Sequence, residues 1–163
     1  MKKKSVVMDT NVAVTANGKA DHVGPECTLI CIDFLEKLRK DHLLLLDDKH
    51  LILSEYQKNL RHSGQPGPGD AFFIWLWNNQ ANPQHCHTVA VTTNEERGFV
   101  EFPDDPRLSN FDHDDRVFVA VARASKTNPS VVNASDRDWW DHRAALRENG
   151  VNIKFLCPEL MRK

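Results

Sequence analysis

Short apolar runs that end at polar residues constrain the fold of this chain more than any other feature. The runs of this kind are "SVVM", "HLLLLDD", "SVVNASD" and "VNIKFLC", which begin at Ser5, His42, Ser130 and Val151. Each has the length of a buried strand, and longer segments with apolar residues at helical spacings lie between them. Strands that alternate with helices are typical of a parallel sheet with helices on both faces. The sequence therefore predicts an α/β fold.

The segments between these runs have the pattern of helices. They are "ECTLICIDFLEKLRKD", "LILSEYQKNL", "AFFIWLWNNQ", "DHDDRVFVAVARAS" and "DWWDHRAALRENG". Ser54 or the residues just before it are predicted to cap the second of these helices, and Gly150 to end the last one. The length of 163 residues suits a single domain, residues 1–163. Within it, residues 61–110 form an irregular region in which "TVAVTT" alternates like a strand.

The charge of the chain is nearly balanced, with 21 Lys and Arg against 23 Asp and Glu. This balance excludes a general basic surface as the means of binding nucleic acid, but it leaves room for local basic strips. The apolar run after "MKKK" stops at Asp9 and is too short for a secretory signal. No run approaches the roughly 18 consecutive apolar residues that span a membrane. We therefore expect a cytoplasmic protein with no membrane contact.

The four cysteines, Cys27, Cys31, Cys86 and Cys157, allow two interpretations. Cys27 and Cys31 are four residues apart and share one face of a helix, so they could form half of a metal site with "HCH" at residues 85–87. Free cysteine is, however, among the most buried residue types, and no CxxC pair supports zinc. We predict reduced thiols in the core.

Acidic residues follow or precede the strands at positions that the fold should bring together. In a parallel α/β sheet, sites form outside the carboxyl ends of the strands. The acids that this rule assigns to one edge are Asp9, Glu55, Asp112, Asp114, Asp115, Asp136 and Asp138. Carboxylates placed together repel each other unless a cation neutralises them, and oxygen ligands are those that Mg²⁺ and Mn²⁺ prefer. The sequence therefore predicts a site for such a cation.

Four segments resemble, in order, the motifs of the PIN-domain ribonucleases. "VVMDTNV" is similar to the first motif, a strand followed by Asp-x-Asn, and "LILSEYQKNL" to the second, a helix that carries a glutamate. "DDRVFVAVA" resembles the third, an aspartate that opens a helix rich in small residues, and "VVNASDRDWW" the fourth, a strand followed by Asp-x-Asp. The resemblance covers nearly the whole chain. The residues that carry it are Asp9, Asn11, Glu55, Asp115, Asp136 and Asp138.

This resemblance implies a sandwich around a sheet of about four or five parallel strands, and hydrolysis of RNA with one or two Mg²⁺ or Mn²⁺ ions. Asp9, Asp115 and Asp136 would hold the metal. Glu55 would either bind metal directly or orient the attacking water, and Asn11 would position Asp9 or a water on the metal. The family includes the toxins of toxin–antitoxin pairs, so an antitoxin protein is one candidate partner and a second copy of the chain is another, with "AFFIWLW" as a candidate surface.

Three aspartates compete for the third motif. We choose Asp115 because "RVFVAVA" follows it directly, as in the family. Asp112 lies three residues earlier, so it shares a helical face with Asp115 and could assist it. Asp114 is expected to act only as part of an acidic first helical turn. Asp138 is the second acid of the fourth motif and is expected to be auxiliary.

Contacts with RNA require positive charge, because phosphate contacts dominate affinity. Arg137, between the two acids of the fourth motif, and Arg116, after Asp115, are the predicted substrate-binding residues. Trp139 and Trp140 could stack on a base of single-stranded RNA, but at least one of the pair is expected to anchor its helix to the sheet.

Two other functions fit parts of the pattern. Phosphatases of the haloacid dehalogenase type also begin with a strand and Asp-x-Asp, but here the second acid is replaced by Asn11. A catalytically inactive PIN-like module that binds nucleic acid or protein is the other alternative. The complete set of acids disfavours it, since a binding module gains nothing from repelling phosphate.

Overall fold

The computed structural model describes residues 2–20, 23–61 and 64–162, and within these ranges a five-stranded parallel sheet forms the centre of the fold. The strands are β1 (Lys4–Met8), β2 (His42–Asp47), β3 (Cys86–Val89), β4 (Thr93–Asn94), β5 (Gly98–Phe99), β6 (Ser130–Asn133) and β7 (Asn152–Phe155). The strand order of the sheet is β3-β2-β1-β6-β7, and β4 and β5 form a separate antiparallel pair. Helices flank the sheet, which confirms the predicted α/β sandwich.

The helices are α1 (Thr10–Ala16), α2 (Pro25–Asp41), α3 (Leu51–Asn59), α4 (Pro68–Asn79), α5 (Arg116–Ala124), α6 (Arg137–Asp141) and α7 (Arg143–Glu148). Most of the helices follow the predicted segments, but α1 was not predicted, and the helix expected to begin at Asp112 begins only at Arg116, after a 3-10 turn at His113–Asp115. The last predicted helix is divided in two at His142, and Gly150, at φ 86°, follows its end as expected. The N-cap of α3 is His50, just before Ser54, and the backbone N–H groups of Leu51 and Ile52 donate hydrogen bonds to the carboxylate of Asp47.

Strand β1 lies in the middle of the sheet because it is apolar on both faces. Val7 and Met8 are fully buried. β1 pairs in parallel with β2 on one side and with β6 on the other, where Val7 lies opposite Val131. The backbone N–H of Asp9 extends this pairing by donating to the Val132 carbonyl over 3.0 Å. The carboxyl ends of β1 and β6 therefore open at the same edge.

The region 61–110 is less irregular than the sequence suggests. It contains α4, the edge strand β3 and the β4-β5 pair, and only the last two residues of β3 fall within the strand-like "TVAVTT". The chain between β3 and α5 is folded onto the core through five buried apolar side chains: Val91, Phe99, Phe102, Leu108 and Phe111. Residues 62 and 63 of the region lie outside the described ranges.

The N-terminus of α4 approaches α1 closely at Gly69. A Cβ at this position would overlap the carbonyl oxygen of Ala13 and lie 2.8 Å from its carbonyl carbon. The Asn17 amide, at the end of α1, locks the two helices together: its Oδ1 accepts from the Gly69 and Asp70 N–H groups, and its Nδ2 donates to Asp70. Glycine is therefore required for the packing of α1, the helix that follows Asp9.

The prediction that all four cysteines are reduced thiols is wrong for two of them. Cys27 in α2 and Cys157 after β7 form a disulfide, with their Cα atoms 5.8 Å apart and a sequence separation of 130. Only the tertiary fold brings them together, so spacing along the chain did not indicate the bond. In the described part of the chain, Cys31 and Cys86 are the free cysteines, and both are buried as expected.

The structure also bears on the expectation about membranes. Among the described residues, none of the helices combines the length and the apolar character needed to cross a bilayer.

Candidate active site

The predicted metal-binding acids meet in a cleft at the carboxyl edge of the sheet. The cleft has a volume of about 240 Å³, and its polar lining residues are Asp9, Thr10, Asn11, Glu55, Asn59, Asp112, Asp114, Asp115 and Asp136. The acids come from the end of β1, from α3, from the turn before α5 and from the loop after β6. The fold therefore brings together all four residues chosen from the sequence, namely Asp9, Glu55, Asp115 and Asp136.

Asp9 lies deepest in this cleft. It is 2% exposed, and one of its oxygens, Oδ2, accepts hydrogen bonds from the Asn11 backbone N–H over 3.0 Å and from the Asn133 amide over 3.2 Å. The other oxygen, Oδ1, is buried and has no hydrogen-bond partner among the described residues. A buried carboxylate oxygen without a partner is costly, so Oδ1 lies where a cation or a proton would stabilise it.

Two asparagines hold Asp9 and its loop in position. Asn11 accepts a hydrogen bond at Oδ1 from the Ser135 N–H over 3.0 Å, which fastens the start of α1 to the loop after β6. Asn133, fully buried, links Asp9 to the Asp136 N–H, which donates to its Oδ1 over 2.8 Å. The sequence analysis did not identify Asn133 as a site residue. The sequence signal for Asn133 is its position at the carboxyl end of β6, which corresponds to the position of Asp9 at the carboxyl end of β1.

Asp115 faces Asp9 from the short turn before α5. Its Oδ2 accepts a hydrogen bond from the indole N–H of Trp139 over 3.3 Å. Trp139 is fully buried and packs edge-on against Phe111 with ring centres 5.0 Å apart, so it anchors α6 as expected for one of the two tryptophans. The anchor also fixes the carboxylate of Asp115.

Asp136, Asp138 and Asp112 surround the opening of the cleft, and each of their carboxylates accepts a hydrogen bond from a backbone N–H group. Asp136 caps α6 by accepting from the Asp138 N–H over 2.9 Å, and Asp138 in turn accepts from the Asp112 N–H over 2.9 Å. Asp112 accepts from the Asp114 N–H over 3.0 Å. Asp112 and Asp138 therefore hold the turn before α5 against α6.

Burial and nearby negative charge raise the pKa values of three carboxylates in the cleft. Burial is the main cause for Asp9, whose pKa is well above its ordinary value, and the negative charges of Asp115 and Asp136 add to it. Burial and the charges of Asp136 and Asp112 raise the pKa of Asp115 to about 7. Burial also raises the pKa of Asp136. Nearby negative charge and low exposure both disfavour the ionised form, so these acids favour a cation that would relieve them.

Glu55 lies on the α3 side of the cleft and is paired with a lysine. Its Oε1 accepts from the Lys58 ammonium over 2.8 Å. The Glu55 side chain is 15% exposed, whereas that of Lys58 is 63% exposed. Because the lysine end of the pair is mostly exposed to solvent, the pair adds little stability and Lys58 can leave Glu55 at small cost.

The two predicted substrate-binding arginines lie in different environments. Arg116 is 3% exposed, and its guanidinium lies 4.6 Å from the centre of the Phe102 ring. It donates to the backbone carbonyls of Arg97, Leu108, Ser109 and Phe111. This burial contradicts the predicted contact between Arg116 and substrate, since the side chain instead fixes the segment before α5.

Arg137 is exposed, as a substrate-binding residue should be, but it does not line the cleft. It donates to the Met161 carbonyl over 2.8 Å. Trp140, the second candidate for base stacking, carries the Arg143 guanidinium 3.8 Å from its ring centre, so a base would have to displace it.

The carboxylate oxygens of the cleft do not form a tight cluster. Among the described residues, no three carboxylates have oxygens that all lie within 4.8 Å of one another; the three sulfurs of Cys27, Cys31 and Cys157 alone meet that spacing. Mg²⁺ keeps several water ligands and takes few carboxylates directly. The carboxylates of this open cleft are therefore spread more widely than the ligands of a closed protein cage would be.

Comparisons with protein-family models, with curated proteins and with solved structures found no match for this chain.

The positions of Asp114 and Asp115 lead to a matched prediction. Asp115 faces Asp9, whereas Asp114 is exposed at the outer wall of the cleft. The resemblance to PIN-domain ribonucleases predicts that Asp115→Asn abolishes metal-dependent hydrolysis of RNA and that Asp114→Asn reduces it only mildly, as measured by initial rates at saturating Mn²⁺. Equal losses in the two variants would show that Asp114 belongs with the metal-binding acids.

Proposed function

We propose that this protein is a metal-dependent endoribonuclease of the PIN-domain type. The observation that carries the proposal is the cluster of Asp9, Asp115 and Asp136, three largely buried carboxylates in one cleft whose pKa values are all raised, with a buried oxygen on Asp9 that has no hydrogen-bond partner among the described residues. Such a cluster destabilises the protein unless it binds a cation, and perturbed acids in a cleft are typical of active sites. The order of the motifs along the chain supports the same assignment.

Asp9, Asp115 and Asp136 would hold one or two Mg²⁺ or Mn²⁺ ions, and Glu55 is the fourth candidate ligand. Bound there, the cation would lower the pKa of a water ligand and stabilise negative charge on the attacked phosphate. Hydrogen bonds keep both carboxylates in place: Asn11 and Asn133 donate to Asp9, and Trp139 donates to Asp115. Preorganised ligands need no rearrangement when the substrate arrives.

Glu55 and Lys58 would act on the substrate side of the cleft. A Glu55 carboxylate freed from Lys58 accepts a hydrogen bond from the attacking water and orients it. Lys58, exposed and adjacent, can then contact a phosphate of the RNA. With Arg116 buried, Lys58 is a better candidate than Arg116 for this contact, and Arg137 remains a candidate outside the cleft.

Cleavage of a panel of labelled single-stranded RNAs tests the proposal. The protein is assayed with Mg²⁺ or Mn²⁺, with EDTA, and as Asp115→Asn. Asp104→Asn is the matched control, since the Asp104 side chain is 88% exposed and lies away from the cleft. Cleavage that requires both metal and Asp115, and that survives Asp104→Asn, supports a nuclease. Cleavage that persists in EDTA and in Asp115→Asn would contradict it.

The alternatives give different results in the same samples. A catalytically inactive module that lacks the ion site would show no change in melting temperature with Mn²⁺, whereas a ligand that binds only the folded state must raise it. A phosphatase of the haloacid dehalogenase type would hydrolyse a phosphomonoester, but Asn11 binds the Ser135 N–H in this structure and offers no acid at that position. The antitoxin, the homodimer and the cytoplasmic location stay predictions.

The pH dependence of metal binding gives a further test. Because the folded pKa of Asp115 is about 7, against an ordinary 3.8, the metal-free protein should lose stability as the pH rises through this range and the carboxylate ionises. Mn²⁺ binds the ionised form, so its increase in melting temperature should be small near pH 5 and large near pH 8, values that bracket the shifted pKa. Differential scanning fluorimetry measures both effects.

Asp115→Asn should flatten the pH dependence of the metal-free protein, and Asp104→Asn should leave it unchanged. A Mn²⁺ effect of equal size at both pH values would show that the ion does not bind at the perturbed acids.

A further inference from the structure

A cluster of three sulfur atoms lies outside the acidic cleft. The Sγ atoms of Cys27, Cys31 and Cys157 all lie within 4.8 Å of one another, and all three residues are buried. Cys27 and Cys31 are one turn apart in α2, and Cys157 follows β7, where its N–H donates to the Ala134 carbonyl over 3.1 Å. Helix and sheet thus fix the three sulfurs relative to each other.

The sulfurs have two alternative chemical states. In the structure, Cys27 and Cys157 are joined and Cys31 is a thiol. A dithiol reductant would open the bond: the reductant is oxidised to its disulfide, and two electrons and two protons convert Cys27 and Cys157 to thiols. Disulfides are rare in reducing compartments, where the three-thiol state would predominate. Three thiols could then bind a divalent cation with release of three protons.

Exchange of the disulfide with Cys31 is the competing chemistry, and burial opposes it. Burial raises the pKa of Cys31 to about 12, so its thiolate, the form that attacks a disulfide, is scarce at neutral pH. A metal ion can bind Cys31 in spite of this raised pKa, because metal binding stabilises the thiolate and releases the proton of the thiol.

Access for an ion comes from the surface beside the disulfide. A cavity of about 260 Å³ is lined there by Cys27 and Cys157, with Glu26 and Glu159 at its walls. Zinc sites take thiolates in tetrahedral geometry, and sites with three protein ligands leave the fourth position to water or another group. The cavity provides space for that fourth ligand, whereas the opposite side of the cluster is core.

We propose that Cys27, Cys31 and Cys157 form a binding site for a thiophilic metal ion such as Zn²⁺, which exists only when the Cys27–Cys157 disulfide is reduced. The disulfide and the metal are mutually exclusive, because each uses the same two sulfurs. The site is separate from the carboxylate cleft and would bind a different class of cation, since thiolates prefer soft or borderline ions and carboxylates prefer Mg²⁺ or Mn²⁺.

The test is a titration of the full chain with Co²⁺, a coloured substitute for Zn²⁺, with Mg²⁺ in excess to occupy the carboxylate cleft. The reduced protein, freed of reductant under inert gas, should show thiolate-to-cobalt charge-transfer absorption that saturates at one equivalent and disappears when Zn²⁺ is added. The oxidised protein should show none. The thiolate-to-cobalt charge-transfer band arises only from sulfur ligands, so this signal is independent of RNA cleavage.

The matched variants are Cys31→Ala and Cys86→Ala, which each remove one free buried thiol. Cys31→Ala should lose the saturable absorption, whereas Cys86→Ala should keep it. The proposal is overturned if the reduced protein does not bind Co²⁺ through sulfur, or if Cys31→Ala binds it unchanged. Thermal unfolding followed by circular dichroism accompanies each sample, and a reduced chain without a cooperative transition would also overturn it, since the site depends on the fold. The comparison of oxidised and reduced wild-type protein needs no substitution and stands even if Cys31→Ala fails to fold.

Discussion

Asp9→Asn is expected to lower the rate of metal-dependent RNA hydrolysis by on the order of 10³-fold or more, because a cation contributes several kcal/mol of transition-state stabilisation and each 1.36 kcal/mol is tenfold in rate. Asp9 is the deepest acid of the cleft and the one with an unpartnered oxygen. An amide at this position is neutral and cannot replace a carboxylate as a ligand. Initial rates at saturating Mn²⁺ on a labelled RNA measure the loss.

The fold should survive this substitution and become more stable. The Asn side chain keeps an oxygen for the hydrogen bond from the Asn11 N–H, and its Nδ2 would point toward the Asp115 and Asp136 carboxylates that now repel Asp9. Relief of that repulsion should raise the melting temperature of the metal-free protein at pH 8, and Mn²⁺ should no longer raise it further. Full activity in Asp9→Asn would place the catalytic cation elsewhere.

Gly69→Ala is expected to cause the largest loss of stability. The new Cβ would overlap the backbone carbonyl oxygen of Ala13, and neither helix can move far because Asn17 and Asp70 tie them together. Overpacking of this kind costs about 1–3 kcal/mol or more, and each kcal/mol lowers the melting temperature by roughly 2–4 °C in a chain of this size. Hydrolysis should fall as well, since α1 follows Asp9 directly.

Gly24→Ala is the matched control for this effect. Gly24 has an ordinary φ of -80°, and nothing lies within 4 Å of a Cβ built there. Gly24 is the N-cap of α2, so Gly24→Ala should lower the free energy of unfolding by less than about 1 kcal/mol, the scale of a weak helix cap. Thermal and urea unfolding compare the two variants. Equal stability of Gly69→Ala and the unaltered protein would mean that α1 and α4 can separate without cost.

The sequence identified those parts of the fold that depend on local pattern. The runs at Ser5, His42 and Ser130 are the parallel strands β1, β2 and β6, because buried strands require continuous apolar residues whatever their neighbours are. The rule that sites form at the carboxyl ends of such strands then placed Asp9 and Asp136 at one edge before any contact was known. The helix that carries Glu55 and the helix that follows Asp115 were likewise predicted from the local spacing of apolar residues.

Features that depend on long-range contacts were missed or misassigned. Arg116 is the first residue of an apolar helix, and nothing in its neighbouring sequence indicates that it is buried. Its guanidinium nevertheless donates to four backbone carbonyls of the irregular segment before the helix. The bond between Cys27 and Cys157 spans 130 residues. Asn133 bridges Asp9 and Asp136, which lie far apart in sequence. Spacing along a chain does not encode such pairings, because only the completed sheet creates them.

The pairing of β1 with β6 also determines when the acidic cleft can exist during synthesis of the protein. Asp9 and Asn133, joined by a hydrogen bond, are separated by 124 residues. A nascent chain that has released Asp9, Glu55 and Asp115 from the ribosome still lacks β6, the strand that orients Asp9, and Asp136 beyond it. Translation therefore delays assembly of the cleft until β6 and Asp136 have left the ribosome.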